Sequence, residues 1–395
     1  MKTIGISKEG IKKAFQSEGV TNTARHDDKH LVALCKIYQV QQLYPGKRLH
    51  ELLHPALAYI NRRLDVLEAN TLSNPAHEGG ITLSLYSMIS ETFTELGQEA
   101  YFGKTLAEIE PKMVSLFMDF DAVAWQVLYQ YPTLLCRRMV RSKARMQAAL
   151  EGYFSRPVKD RSDAAWMILE LESDMNRRDV SLPDIALFFF QLYWSINGNM
   201  KKAPFWMLSF ILFRPGLVDA IRKEVQPAFS ADGFSMDYLS NSCPLLHSVW
   251  DETLRVTAFA ASVRFLTEDV RIGGKILRRG NRLMIPQRQL HFNPHAFGED
   301  AASFNHKRFL EQSKLKKHSS FRPFGGGTTL CPGRRLTEKT SLAFVAMILQ
   351  KFDLELEPHT QSFPIATEGN PSIGLVDVEQ GSDLKVNLRI RTTVV

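Results

Sequence analysis

The sequence predicts a mainly α-helical chain that carries small β-sheets, and three observations predict it. Apolar residues recur at three- and four-residue spacing through the first 240 residues. A second, longer apolar stretch runs from Ile185 to Phe213 around a polar centre. After residue 260 the pattern changes to short apolar segments bounded by glycine, which read as strands and turns.

The elements follow in order. Leu49, Leu52, Leu53 and Leu57, then Ile60, Leu64 and Leu67, give one face of a helix. Segments 81–102 and 105–153 read as helical, with Pro111 near one start and Pro132 as a break. Pro183 and Asp184 open the apolar run Ile185 to Trp194, and Phe205 to Phe213 forms a second run. Two lysines and two asparagines between them argue against a membrane span. The expectation is one long buried helix distorted near Gly198 and Pro204; the alternative is two shorter helices. Phe188, Phe189 and Phe190 read as core or as the wall of a pocket, with core favoured. Segments 270–277 and 282–286 read together as a short hairpin, and alternation at Leu384, Val386, Leu388 and Ile390 as a final strand. No fixed repeat and no long linker appears, so residues 1–395 read as a single domain.

Composition narrows the class. An apolar fraction of 44% and a charged fraction of 23% belong to a packed globular chain, which excludes mainly disordered and collagen-like proteins. The four cysteines, Cys35, Cys136, Cys243 and Cys331, lie far apart with no Cys-x-x-Cys pair. That spacing disfavours a zinc cluster or disulfide framework and fits a reducing compartment. Residues 1–8 hold no signal-peptide core and no membrane-spanning run. From Arg264 to Arg335 there are 15 Lys/Arg against 5 Asp/Glu, a balance of +10 within a net charge of +7. Such a stretch attracts an acidic protein, a nucleic acid or an anionic membrane, or else is a solvated loop surface.

Three motifs carry chemistry. In residues 321–335, three glycines (Gly325, Gly326, Gly327) precede the single Cys331, and a helix follows from about Leu336. Glycines let a flat group lie against the backbone, and amide N–H groups with a helix start favour a thiolate. A metal-bound thiolate needs such surroundings. An inert buried thiol and a nucleophilic cysteine are the alternatives, although no histidine partner is identifiable. Second, Glu252 and Arg255 lie three residues apart on a helical stretch with apolar flanks, and read as a buried structural tie rather than a catalytic pair. Third, Arg308, between Phe304 and Phe309, completes a triad with them or belongs to an ordinary loop.

Taken together and in this order, the motifs resemble the cytochrome P-450 family of haem-thiolate enzymes. Phe324, Gly327, Cys331 and Gly333 match its cysteine loop. Glu252 and Arg255 match its Glu-x-x-Arg helix, and Arg308 the arginine that joins them. His291-Phe292-Asn293-Pro294 and Phe304 match the stretch between. The resemblance implies the family's fold, with its N-terminal anchor, first helix and first strands missing from this chain. It implies haem b with Cys331 as axial thiolate, whose charge favours oxygen–oxygen cleavage. It implies Arg264 as a partner of a haem propionate. Thr329 stands where most members carry Arg or His, so one ionic contact is missing or comes from elsewhere, such as a helix near residues 48–63. Gly198 and Asn199 occupy the places of the acid and threonine that help deliver protons to oxygen. Both departures, with Gly198-Asn199-Met200 and Phe205-Trp206, resemble the branch of cholesterol 7-alpha-hydroxylase, prostacyclin synthase and their fungal relatives.

The implied function is a monooxygenase acting on a sterol, terpenoid or other hydrophobic small molecule, with O2 and electrons from NADPH through cytochrome P-450 reductase. That partner would meet the basic surface around Lys314, Lys316, Lys317, Arg334 and Arg335; nucleic acid is not an implied partner. An isomerase or dehydratase needing neither O2 nor reductase, or a shortened chain with impaired haem binding, is the alternative. Family location implies the cytosolic face of the endoplasmic reticulum membrane, and the chain as it stands a cytoplasmic protein.

Overall fold

The computed structural model describes residues 4–15, 29–73, 80–231, 233–357, 362–367 and 374–391. The chain forms two compact units, each gathered from separated segments. The first comprises Met1–Pro75, Tyr86–Lys201 and Pro332–Thr340; the second comprises Ala76–Leu85, Lys202–Cys331 and Ser341–Val395.

The first unit is helical. Its helix Lys47–Leu72 buries Leu49, Leu52, Leu53, Ala56, Ile60, Leu64 and Leu67, so the predicted stripe holds except that Ala56 is buried where Leu57 was expected. The expected helix 81–102 is instead the strand Gly80–Ser84 followed by the helix Leu85–Phe102. The strand exists because Lys385–Ile390 pairs with it along its length, a partner that local periodicity does not show.

The helix Leu182–Met200 begins at Ser181, whose hydroxyl accepts the Asp184 N–H at 3.4 Å. The Asp184 carboxylate in turn accepts the backbone N–H of Ser7 at 2.8 Å and its hydroxyl at 2.6 Å, and these bonds hold its pKa below the usual carboxylate range despite the opposing effect of burial. Phe189 and Phe190 are fully buried. Phe189 packs on Phe102 and Phe154, and Phe190 on Phe120, so these rings are core. Burial of each such ring is worth about 2 kcal/mol.

The stretch 182–212 is two helices, Leu182–Met200 and Lys202–Leu212, with Lys201 between them. The break falls at neither predicted weak point. Gly198 lies within the first helix, and Pro204 lies in the first turn of the second, where a missing N–H costs nothing. The polar centre has a charge partner: Lys201 Nζ is 2.8 Å from Asp121 Oδ2, and both side chains are buried.

The second unit holds the sheets. Lys385–Ile390 is the central strand of three, antiparallel to Gly80–Ser84 and to Phe352–Leu356. Leu384, Val386 and Leu388 are buried, as the alternation predicts. The expected hairpin divides into two. Val270–Ile272 pairs with Lys275–Leu277, and Arg282–Pro286 pairs with Ala261–Phe265, the strand that carries Arg264. Gly273 and Gly274 both have positive φ and form the two-residue turn of the first pair.

In the first unit Gly97 faces Asn197, and a methyl group at Gly97 would come within 2.1 Å of Asn197 Oδ1. Gly97→Ala is therefore expected to destabilise the protein by about 1–3 kcal/mol. The double variant Gly97→Ala/Asn197→Ala should recover most of that loss in chemical denaturation; an additive loss would show that the two residues do not share the space.

Candidate functional site

The helix Pro244–Thr257 places Glu252 and Arg255 on one buried face, each with zero exposure. Arg255 Nε donates to Glu252 Oε2 at 2.8 Å and Nη2 to Oε1 at 2.7 Å, a two-pronged ion pair. Its remaining N–H groups donate to the carbonyls of His291, Ala301 and Ser303 at 2.8, 2.6 and 3.0 Å. All five donors of the guanidinium are thus used. Arg308 closes the triad: its Nε lies 3.1 and 3.2 Å from the two Glu252 oxygens. Its other nitrogens bond Phe297 O, Asp300 Oδ1 and Asp300 O. The Asn305 N–H donates to Glu252 Oε1 at 2.9 Å. Arg308 is a triad member, not an ordinary loop residue.

These carbonyls belong to segment 291–303, which has little regular pairing of its own. The triad supplies its hydrogen bonds and so fixes its path. Over it packs a small apolar cluster of Phe297, Ala301, Phe309 and Leu315, joined by Phe321. Phe321 begins the glycine-rich loop.

His291 links the two. Its carbonyl accepts from Arg255, while its Nε2 accepts the Arg322 N–H at 2.9 Å. Nδ1 therefore carries the proton of the neutral ring, and it is buried. Burial, reinforced by the Arg255 charge, lowers the His291 pKa from 6.5 to about 4.

The loop is closed by its own backbone. The Gly325 N–H donates to Arg322 O at 3.0 Å, and the Cys331 N–H to Phe324 O at 3.0 Å. Gly325 and Gly327 have φ of +76° and +61°, which other residues adopt only with strain. A side chain at Gly327 would meet no heavy atom within 4 Å, so this backbone face is clear. Thr329 Oγ1 accepts from Arg264 Nη2 at 2.6 Å and donates to Gly326 O at 3.2 Å. Where an ionic group was expected, Thr329 ties the loop to the Arg264 strand. Gly333 precedes the helix Arg334–Lys351, its carbonyl accepting the Thr337 N–H at 3.0 Å.

Of the four cysteines only Cys331 is exposed. Burial pushes the Cys35 and Cys243 thiols up to about 12 and about 11, which leaves them inert. Cys331, by contrast, is not buried. Among the described residues no group of three or more His, Cys, Asp or Glu can hold a metal ion. A metal at Cys331 would bring its remaining ligands with it, and a glycine-cleared face beside a presented thiol suits a flat group that does so.

In the first unit Gly198 is buried beside the indole of Trp194, whose Nε1 donates to Asp121 Oδ1 at 3.1 Å. Asn197 Nδ2 donates to Tyr193 O, and Asn199, half-buried, follows Gly198 in the same turn. The arginines of the helix near residues 48–63 are engaged within this unit. Arg48 covers the Trp166 ring, Arg62 pairs with Glu99 and Arg63 with Glu91.

A family model for cytochrome P-450 matches residues 65–379. The chain belongs to the cytochrome P-450 family. It is 27% identical over 282 residues to the cytochrome P-450 monooxygenase poxD of Penicillium oxalicum, covering 68% of this chain and 58% of that protein. It is 24% identical over 377 residues to the cholesterol 7-alpha-monooxygenase of Cricetulus griseus, covering 87% of this chain and 73% of that one. It is 30% identical over 202 residues to the 7-alpha-hydroxycholest-4-en-3-one 12-alpha-hydroxylase of Oryctolagus cuniculus, covering 45% of this chain and 40% of that one. The branch expected from the sequence is thus among its relatives. Membership implies haem with cysteine-thiolate ligation.

In this P-450 the second unit contains Glu252, Arg255, Arg308, Arg264, Phe324, Gly327 and Cys331, whereas Gly198, Asn199 and Gly333 belong to the first. Sequence reasoning missed the role of His291, which it used only as part of a motif. It also missed the Lys201–Asp121 pair, for which a separation of 80 positions leaves no local signal. Among the described residues no single helix of this P-450 is long and apolar enough to cross a membrane.

Glu252→Ala leaves two guanidiniums buried without their carboxylate, and is expected to cost about 3–5 kcal/mol in urea denaturation. A loss below 1 kcal/mol would mean that the backbone carbonyls alone suffice. The lowered His291 pKa has a sign in stability: the neutral ring is favoured on folding, so its contribution is complete above pH 6.5 and is lost as pH falls from 6.5 to about 4. The loss amounts to about 3 kcal/mol. His306, also lowered by burial and then by Lys307 and Arg214, adds in the same direction. His291→Gln should therefore flatten the slope of stability between these pH values without abolishing it.

Proposed function

We propose that this chain is the catalytic domain of a haem-dependent monooxygenase that oxidises a hydrophobic small molecule, such as a sterol or terpenoid. The observation that carries the reading is the glycine-cleared loop presenting Cys331 as the single exposed thiol, tied through His291 to the buried Glu252 triad. The activities by which these relatives are named, a monooxygenase and two steroid hydroxylating enzymes, favour oxygenation over isomerisation.

In this reading Cys331 would hold the haem iron through its sulfur, and Phe324, Gly327 and Gly333 shape the loop that presents it. Arg264, exposed at the loop edge and steadied by Thr329, is the cation for a propionate. Glu252, Arg255 and Arg308 position the loop and touch no reactant. Haem, when bound, supplies oxygen activation and electron transfer. Gly198 and Asn199 would take the proton-delivery role. The Asn199 amide both donates and accepts hydrogen bonds, which orders water, but it cannot itself release a proton near neutral pH.

Electrons come from NADPH through a reductase whose acidic surface meets the basic loops. Lys314 and Lys317 are exposed, whereas Lys316 is held by Asp251 at 2.5 Å. Arg334, lying 4.8 Å over the Tyr44 ring, and Arg335, paired with Glu338, are the other candidates. Location on the cytosolic face of the endoplasmic reticulum membrane belongs to the same proposal.

The reduced protein should bind carbon monoxide with the red-shifted absorption of thiolate ligation. Cys331→Ala is expected to remove that band; its survival would refute the ligand assignment. With substrate and a reductase, NADPH should be consumed, and turnover without NADPH would replace the monooxygenase by an isomerase.

A further inference from the structure

We propose that the first unit holds a binding site for an amphipathic carboxylic acid, in which Lys143 receives the carboxylate. The site is a cavity of about 670 Å³ between the segment following the helix Trp125–Leu128 and one face of the helix Arg137–Phe154. Its volume lies within the roughly 300–1,000 Å³ of small-molecule sites. Val127, Tyr131, Met139 and Val140 supply apolar wall, and Gln126 and Gln147 supply amides.

Lys143 is the one charged residue of the lining among the described residues. On the same helix Arg138 pairs with Asp119 and Arg145 with Glu110, while the Lys143 Nζ lies beside Gly5. Lys143 has no hydrogen-bond or ion-pair partner among the described residues. It is half-buried, and burial lowers its pKa, the mark of a cation held partly out of water without an anion. A bound carboxylate removes that penalty.

Two further features point to a ligand. Gln126 Oε1 is buried in the cavity wall with no partner among the described residues. Gln130, also in the lining, has φ of +52°, a conformation that non-glycine residues hold at a cost and that gathers at binding sites. A single cation matches a monoanion, so a carboxylate suits the site better than a doubly charged phosphate. The apolar wall calls for a hydrocarbon body behind it.

The test compares dodecanoate with 1-dodecanol by isothermal titration calorimetry on the whole chain. The parent protein should prefer the acid by roughly tenfold or more. Lys143→Met should remove the preference while retaining the alcohol, and Lys143→Arg should keep it. If Lys143→Met does not fold, Lys143→Gln serves in its place. Equal binding of acid and alcohol by the parent, a preference that survives loss of Lys143, or no binding of either probe would overturn the assignment. The site does not depend on haem: Cys331→Ala should leave the preference unchanged, so failure here and failure of the haem reading give separate results.

Discussion

Taking the Glu252 carboxylate out of water costs several kcal/mol, and so does each guanidinium beside it. The arrangement is tolerable only because every charge finds several partners at once. Glu252 accepts from Arg255, Arg308 and the Asn305 N–H. The two arginines turn outward to five backbone carbonyls, those of His291, Phe297, Asp300, Ala301 and Ser303. An irregular stretch normally lies at the surface because its backbone has nowhere else to bond. Here side chains do what a helix or sheet does elsewhere, so segment 291–308 keeps a fixed path along the surface while His291, Phe297, Ala301, Phe304 and Arg308 are buried beneath it. Through His291, whose carbonyl Arg255 holds and whose ring bonds the Arg322 N–H, that carboxylate also helps to place the thiol loop.

The first unit uses the same economy at smaller scale. Arg161 and Glu172 are buried and bonded twice, at 2.8 and 2.6 Å, with the guanidinium 4.6 Å from the Tyr153 ring. Lys201 meets Asp121 where the apolar stretch 182–212 breaks. A lysine in so apolar a run looks like an interruption; its charge is instead compensated by an aspartate at the end of the helix Met113–Asp121. Trp194 bonds the other oxygen of that aspartate and fixes its orientation.

Much of the site was legible because its chemistry is local in sequence. Glu252 and Arg255 are three residues apart, and the glycines stand directly before Cys331, so spacing alone predicts a shared face and an uncovered loop. The final strand was legible for the same reason, since period-two alternation needs no knowledge of partners. What failed was pairing at a distance. Residues 80–84 are a strand through pairing with 385–390, and residues 282–286 pair with 261–265 rather than with the nearer hairpin. His291 escaped because its role depends on two bonds, one from Arg255 and one from Arg322, that no single-residue propensity reports. Asp121 and Lys201 escaped because each alone reads as an ordinary surface charge.

The long reach of that first strand has a consequence for biosynthesis. Gly80–Ser84 finds its partner about 300 residues later. At ~5–20 residues per second a ribosome needs roughly 15–60 s to supply it. Through that interval the strand's backbone groups stay unpaired, and closing so long a loop is slow even once the partner emerges. The nascent chain thus carries an open edge until Lys385–Ile390 arrives, the kind of unpaired strand that invites wrong pairing.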